Sequence, residues 1–194
     1  MIVVLASQSP RRQELIRYLL PEYLTDPSDF SERSVPYNGD PAAYAITLAK
    51  EKAQDVAMRH PCDLILGADT IVVLDEEVLN KPKDRSDARR MIRRLQGRSH
   101  TVITAYAILW PEKGIERLGY EATEVHFASM DALEIEDYLS RDDWSGKAGA
   151  YAVQGAAAPY ITSLHGDFYT VVGLPVAALY KEFKELGVWQ ALPR

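Results

Sequence analysis

Apolar residues open the chain in one run, Ile2-Val3-Val4-Leu5-Ala6, and give way at once to Ser7-Gln8-Ser9-Pro10-Arg11-Arg12, after which Leu15, Ile16 and Leu19 follow at helical spacing. A β-rich run, a polar break and a helical period predict a strand, a sharp turn and a helix, with Ser9 as N-cap and Pro10 as the first helical residue. Residues 21–40 lose the pattern: Pro, Ser and Asp recur, Tyr23-Leu24 is the only strand-like piece, and a long irregular connection is expected. The helical period returns from Pro41 to about His60, with Asp40 as cap and Ile46, Ala49, Ala53, Val56 and Ala57 as one stripe.

The segment Leu64-Ile65-Leu66-Gly67-Ala68-Asp69-Thr70-Ile71-Val72-Val73-Leu74 is apolar on both sides, which predicts buried strands, with Gly67 and Ala68 leaving room for close approach. Asp75-Glu76-Glu77 reads as a hairpin turn, and Pro82 holds the preceding Lys81 extended. Ser86 is expected to cap a helix to Leu95, with Met91, Ile92 and Leu95 inward and Arg89, Arg90, Arg93 and Arg94 on a solvated face. Residues 100–110 and 117–127 predict a long hairpin around Pro111-Glu112-Lys113-Gly114. Asp131 caps a predicted helix over residues 132–140, residues 161–164 and 168–172 read as strands, and Gly173-Leu174-Pro175 opens a last helix through Lys184. No repeat or low-complexity segment interrupts this series.

At 194 residues the chain suits one large domain or two small lobes with a substantial core. Its net charge of -6 argues against a nucleic-acid polymer as ligand, so any anion site is local. A single cysteine, Cys62, excludes an intramolecular disulfide and a cysteine-based zinc site, and points to a reducing compartment. The N-terminal apolar run is too short for a signal peptide and lacks a basic flank, and no stretch approaches the roughly 20 apolar residues of a membrane span. His60, His100, His126 and His165 have no ligand spacing, so a histidine metal site is not expected.

Candidate chemistry begins at the first helix. Cations in a first helical turn are disfavoured by roughly 0.3–1 kcal/mol each, yet Arg11 and Arg12 stand there beside the hydroxyls of Ser7 and Ser9. Such a start can receive a polyanion, most naturally phosphates; alternatively the arginines splay into solvent or pair with surface acids. Asp69, between apolar residues, must meet a cation, a metal or backbone donors, as a structural aspartate or as a metal ligand or general base. Lys50 and Lys52 lie on opposite flanks of their helical stripe, and spacing does not choose between them. Glu32 in the long connection, Lys81 before its proline, and Lys147 and Gln154 among the small residues of Gly146-Lys147-Ala148-Gly149-Ala150-Tyr151-Ala152-Val153-Gln154-Gly155 complete the set. Cations for a phosphate tail and carboxylates for a metal or a water make the inventory for a nucleoside triphosphate with a divalent metal.

The segments 7–12, Glu51-Lys52-Ala53, Gly67-Ala68-Asp69-Thr70, Lys81-Pro82, Lys147-Ala148-Gly149-Ala150-Tyr151 with Gln154-Gly155, and Val171-Val172-Gly173-Leu174-Pro175 resemble, in order and over nearly the whole chain, the Maf family of nucleotide pyrophosphatases. The resemblance implies a single domain over residues 1–194, α/β and two-lobed, with a curved mixed β-sheet, flanking helices and an interlobe cleft, related to the inosine triphosphate pyrophosphatases. It implies hydrolysis of a nucleoside triphosphate to monophosphate and pyrophosphate with Mg or Mn, in the cytoplasm, as a homodimer, without a nucleic-acid polymer or membrane partner. Asp69 matches the family's proton acceptor, and Glu32, Lys52, Lys81 and Lys147 match its phosphate and metal cleft, with Glu32 and Asp69 as metal ligands. Arg11, Thr70 and Gln154 match the branch acting on dTTP and UTP, and Gln154 can offer a donor and an acceptor to the N3–H and O4 edge of thymine or uracil. Gly146 and Thr170 depart from the family pattern, and the first removes a possible partner of Lys147. The competing implication is a non-catalytic nucleotide sensor that regulates cell division and septum formation.

Overall fold

The computed structural model describes residues 1–189. Its elements alternate as β1 (Val3–Leu5), α1 (Pro10–Ile16), β2 (Leu24–Thr25), α2 (Pro41–Ala57), β3 (Leu64–Leu74), β4 (Glu77–Leu79), α3 (Arg85–Leu95), β5 (Ser99–Trp110), β6 (Ile115–Phe127), α4 (Ala132–Ser140), β7 (Ile161–His165), α5 (Phe168–Val172) and α6 (Val176–Glu185). The architecture is mixed α/β. A seven-stranded sheet runs β2-β1-β3-β5-β6-β7, with β4 added to β3. Parallel pairing joins β1 to β2 and to β3, and antiparallel pairing joins β3 to β4 and β6 to β7.

Packing divides the chain into two compact units. Among the described residues, the first comprises Met1–Asp69, Thr104–Glu121 and residues 173–189; the second comprises Thr70–Ile103 and Ala122–Val172. In the first, β1 pairs in register with the start of β3, Val3 opposite Leu64 and Leu5 opposite Leu66. Both strands are fully buried there, as the unbroken apolar runs require. Helix α2 covers the strands with Ala45, Leu48, Ala49, Ala53 and Val56. The expected stripe is therefore turned by a residue: Ile46 and Ala57 are only half-buried, because the small residues of α2 seat against a glycine of β3. A Cβ built at Gly67 would lie 2.3 Å from the Ala49 carbonyl oxygen and 2.9 Å from Ala53 Cβ, so only glycine admits the helix at this distance.

In the second unit, α3 is capped by Asp84, not Ser86: the Asp84 carboxylate accepts from the Asp87 amide at 2.8 Å. Aspartate is as good an acceptor as serine, and capping here starts the helix two residues earlier. Ala88, Met91, Ile92 and Leu95 are buried, while Arg89 pairs with Glu136 of α4 and Arg94 with Glu77 of β4. The predicted turn after β3 is a tight one, with Asp75 and Glu76 both left-handed at φ 51° and 66°. Asp131 caps α4 in a reciprocal box with Glu134.

Residues 168–172, read as a strand from their aromatic and β-branched content, are helix α5. The Asp167 carboxylate accepts from both the Thr170 amide and the Thr170 hydroxyl at 2.8 Å, and Thr123 Oγ1 donates to the Asp167 carbonyl at 2.9 Å. Those bonds satisfy the first turn of a helix and override strand propensity.

Candidate active site

The first unit carries its predicted chemistry just beyond the end of β1 and at the middle of β3. Beyond Leu5 the chain bends sharply, the Ser7 amide bonding back to the Leu5 carbonyl at 2.9 Å, and Ser7 Oγ then accepts from the Ser9 amide at 3.2 Å. Ser9 caps α1 as expected, its hydroxyl accepting from the Arg12 amide at 3.5 Å. Arg12 does not splay into solvent. Its Nε donates to the Gly173 carbonyl at 2.8 Å and a terminal nitrogen donates to Ser7 Oγ at 3.4 Å. Burial draws its pKa below the usual guanidinium range, opposed by the negative charge of Asp69, reinforced by neighbouring Arg11 and opposed again by Glu32. An arginine remains a cation throughout the neutral range, so this is a fixed positive charge.

Register carries Asp69 to the same place. Three residues past the Leu5–Leu66 pair, Asp69 is buried at 6 % exposure. Because Gly67 lets α2 approach, Lys52, next to Ala53, reaches the carboxylate: its ammonium donates to Asp69 Oδ1 at 2.5 Å and to Glu32 Oε1 at 2.8 Å. The structure thereby decides between the two lysines. Lys50 points the other way, to Glu116 at 2.8 Å on the surface. A buried carboxylate with a charged donor and a second acid satisfies the requirement that Asp69 be met. Tyr44, unremarked in the sequence, belongs to the same field. It precedes Lys52 along the four-residue row of α2, and burial together with the charges of Asp69 and Glu32 raises its phenol pKa.

The second unit holds Thr70, Lys81, Lys147 and Gln154. Lys81 and Gln154 are exposed, and Thr70 and Lys147 are half-buried. The loop after α4 contains left-handed positions at Asp142, Gly146, Gly149 and Ala150. It is anchored by the Gly149 amide on the Asn80 carbonyl at 3.3 Å and by the Tyr138 hydroxyl on the Ala150 carbonyl at 2.7 Å. Gly146 removes one possible partner of Lys147; Asp143 supplies another, its Oδ1 accepting from Lys147 Nζ at 2.8 Å. The signal for Asp143 was present as an acid four residues before the lysine.

Glu32 and Asp69 fit a divalent cation by donor chemistry, since hard carboxylate oxygens with water and substrate phosphates are the usual surroundings of magnesium and manganese. Among the described residues no group of three or more His, Cys, Asp or Glu side chains stands ready to hold a metal by itself. A divalent cation held by these two carboxylates would take its remaining ligands from water and substrate oxygens.

The first unit of this α/β chain thus brings a half-buried arginine, a lysine and two carboxylates into one electrostatic field. The chain belongs to the Maf family: the family model described as Maf-like protein matches residues 2–186. It is 42% identical over 185 residues to a Pyrococcus furiosus protein named dTTP/UTP pyrophosphatase, covering 95% of each chain. It is likewise 42% identical over 186 residues to a Koribacter versatilis protein of the same name, covering 96% of this chain and 95% of the other. A solved structure of the Staphylococcus aureus Ham1 protein overlaps 65% of this chain and 71% of its own at 13% identity, with a TM-score of 0.44. Among the described residues no helix is long and apolar enough to cross a membrane.

Proposed function

We propose that this protein hydrolyses dTTP and UTP, or a modified pyrimidine nucleotide, to the monophosphate and pyrophosphate with Mg or Mn. The observation that carries the reading is Lys52 held on Asp69 and Glu32 within the field of Arg12, in a chain 42% identical to proteins named for that activity. The names of the relatives favour a hydrolase over a non-catalytic regulator of septum formation. A cytoplasmic location and a homodimeric state complete the proposal. The second is tested by light scattering on the eluting peak of a sizing column.

Asp69 is assigned as the proton acceptor for the water that attacks the α-phosphorus. Lys52 holds one carboxylate oxygen, fixing the direction in which the other faces. Glu32 and Asp69 would hold the divalent cation, which supplies charge neutralisation along the phosphates when bound. Arg12 is fixed by Gly173 and Ser7 before substrate arrives, so its charge needs no reorganisation as negative charge develops on departing pyrophosphate. Arg11, Ser7 and Ser9 belong to the same phosphate-binding group. Lys81 and Lys147 are assigned to phosphate, and Thr70 and Gln154 to the base.

Incubation of the purified protein with dTTP, Mg or Mn, and a pyrophosphate-coupled readout tests the activity directly; no pyrophosphate release from any pyrimidine triphosphate rejects it. Asp69→Asn is expected to lose turnover by at least ~10² while still binding dTTP. Gln154→Ala is expected to erode the preference for dTTP over dCTP by roughly 10-fold, since a site built to pair a polar base edge discriminates by that pairing. An unchanged ratio removes Gln154 from base recognition.

A further inference from the structure

The loop after α4 is held in an improbable shape, and one side chain within it bonds to both Lys147 and Ala156. Left-handed φ values of 53° at Asp142 and 63° at Ala150 are costly for residues with a Cβ. Asp143 contacts the segment at both ends. Its Oδ1 and its backbone carbonyl both accept from Lys147 Nζ. Its Oδ2 accepts from the Ala156 amide at 2.7 Å. The same oxygen fills the space at Gly155, where an added Cβ would lie 1.9 Å from it. Lys147 and the residues immediately after Gln154 are therefore tied to a single carboxylate whose side chain is 25% exposed.

We propose that Asp143 is a positioning residue for substrate recognition: it sets the direction of the Lys147 ammonium and the placement of Gln154 together, so that phosphate binding and base preference are coupled through one side chain. This rests on the roles proposed above for Lys147 and Gln154. The chemistry demands a carboxylate. Both oxygens face donors, so an amide of the same shape must turn an N–H against either Lys147 Nζ or the Ala156 amide. A lysine released from its acid regains the rotamer freedom of a long side chain, and the loss appears in binding more than in the chemical step.

The test compares wild type, Asp143→Asn and Gly155→Ala in steady-state kinetics with dTTP and dCTP, with circular dichroism confirming that each is folded. Asp143→Asn changes the acid, whereas Gly155→Ala leaves the acid intact and displaces it, so the two reach the loop from opposite sides. Both are expected to raise KM for dTTP by about 10-fold or more while kcat changes by less than about 3-fold, and both to lower the dTTP-over-dCTP preference. Adding Lys147→Ala to Asp143→Asn is expected to raise KM little further, because the two act as one unit. Folded variants with KM and preference within about twofold of wild type overturn the role of Asp143 and leave the activity standing. A wild-type protein that releases no pyrophosphate overturns the underlying reading and this one together.

Discussion

His100 shows how one side chain can set the acid limit of the molecule. Its ring is buried against Phe127 and Tyr151, Nε2 lies 2.6 Å from the Tyr151 hydroxyl, and Nδ1 is buried without a hydrogen-bond partner among the described residues. Burial lowers its pKa from 6.5 to about 4, with nearby His126 adding to the shift. A protonated ring would need an acceptor for both N–H groups, and only one is in place. Because the folded value is the lower one, the unfolded chain takes up the proton first. The stabilisation is therefore complete above pH 6.5 and declines as pH falls toward 4. The loss over that window is expected to be about 3 kcal/mol, on the order of 1.4 kcal/mol per pH unit. Urea titrations at several pH values check this: His100→Gln should flatten the decline, and parallel curves for the two proteins would reject the assignment. His100 was legible in the sequence only as a histidine without ligand spacing; its role depends on rings supplied by β6 and by the loop after α4.

At the scale of elements, the approach of α2 to β3 is what assembles the carboxylate–lysine group. Gly67 contributes no side chain to the chemistry, yet the helix carrying Lys52 sits where it does because Gly67 has no Cβ. Gly67→Ala is expected to destabilise the protein by about 1–3 kcal/mol, the usual cost of forcing atoms into a filled interior, and to lower kcat by moving Lys52 off Asp69. Denaturant midpoints and steady-state rates on the same preparation measure both. A variant with wild-type stability and rate would show that the helix can shift without consequence. The starts of α1, α2 and α4 were readable beforehand, since Ser9, Asp40 and Asp131 cap locally and need nothing from afar. Helix α5 was not read, because the aromatic and β-branched content of residues 168–172 outweighed a local signal, Asp167 capping onto Thr170, that only Thr123 reinforces from afar.

For the molecule as a whole, an acidic chain with a net charge of -6 keeps the cations proposed for phosphate local, fixed to named acids and carbonyls rather than spread as a basic face. The arginines of α3 illustrate the contrast. Arg89, Arg90 and Arg94 are engaged by Glu136, Asp87 and Glu77 in exposed ion pairs of small individual worth. A ligand that binds only the folded state stabilises all of it. With Asp69→Asn blocking turnover, dTTP at 100 times its Kd is expected to add ~2.7 kcal/mol and raise Tm by roughly 5–10 °C for a chain of this size. Differential scanning fluorimetry across a dTTP series measures the shift, and an unmoved Tm at saturating nucleotide would argue that the folded protein has no such site.

What the sequence determined by itself is whatever a few adjacent residues can enforce: strand and helix periods, caps, the hairpin at Gly114, and a roster of side chains suited to a nucleoside triphosphate. Tertiary structure alone decided that Lys52 rather than Lys50 meets Asp69, that Arg12 is held by a carbonyl from the far end of the chain, and that Asp143 replaces the missing neighbour of Lys147. The physical reason is range. Propensity and capping act within a helical turn, whereas the direction of a charged side chain is set by whichever distant acid, amide or carbonyl the packing of strands and helices brings within hydrogen-bonding distance.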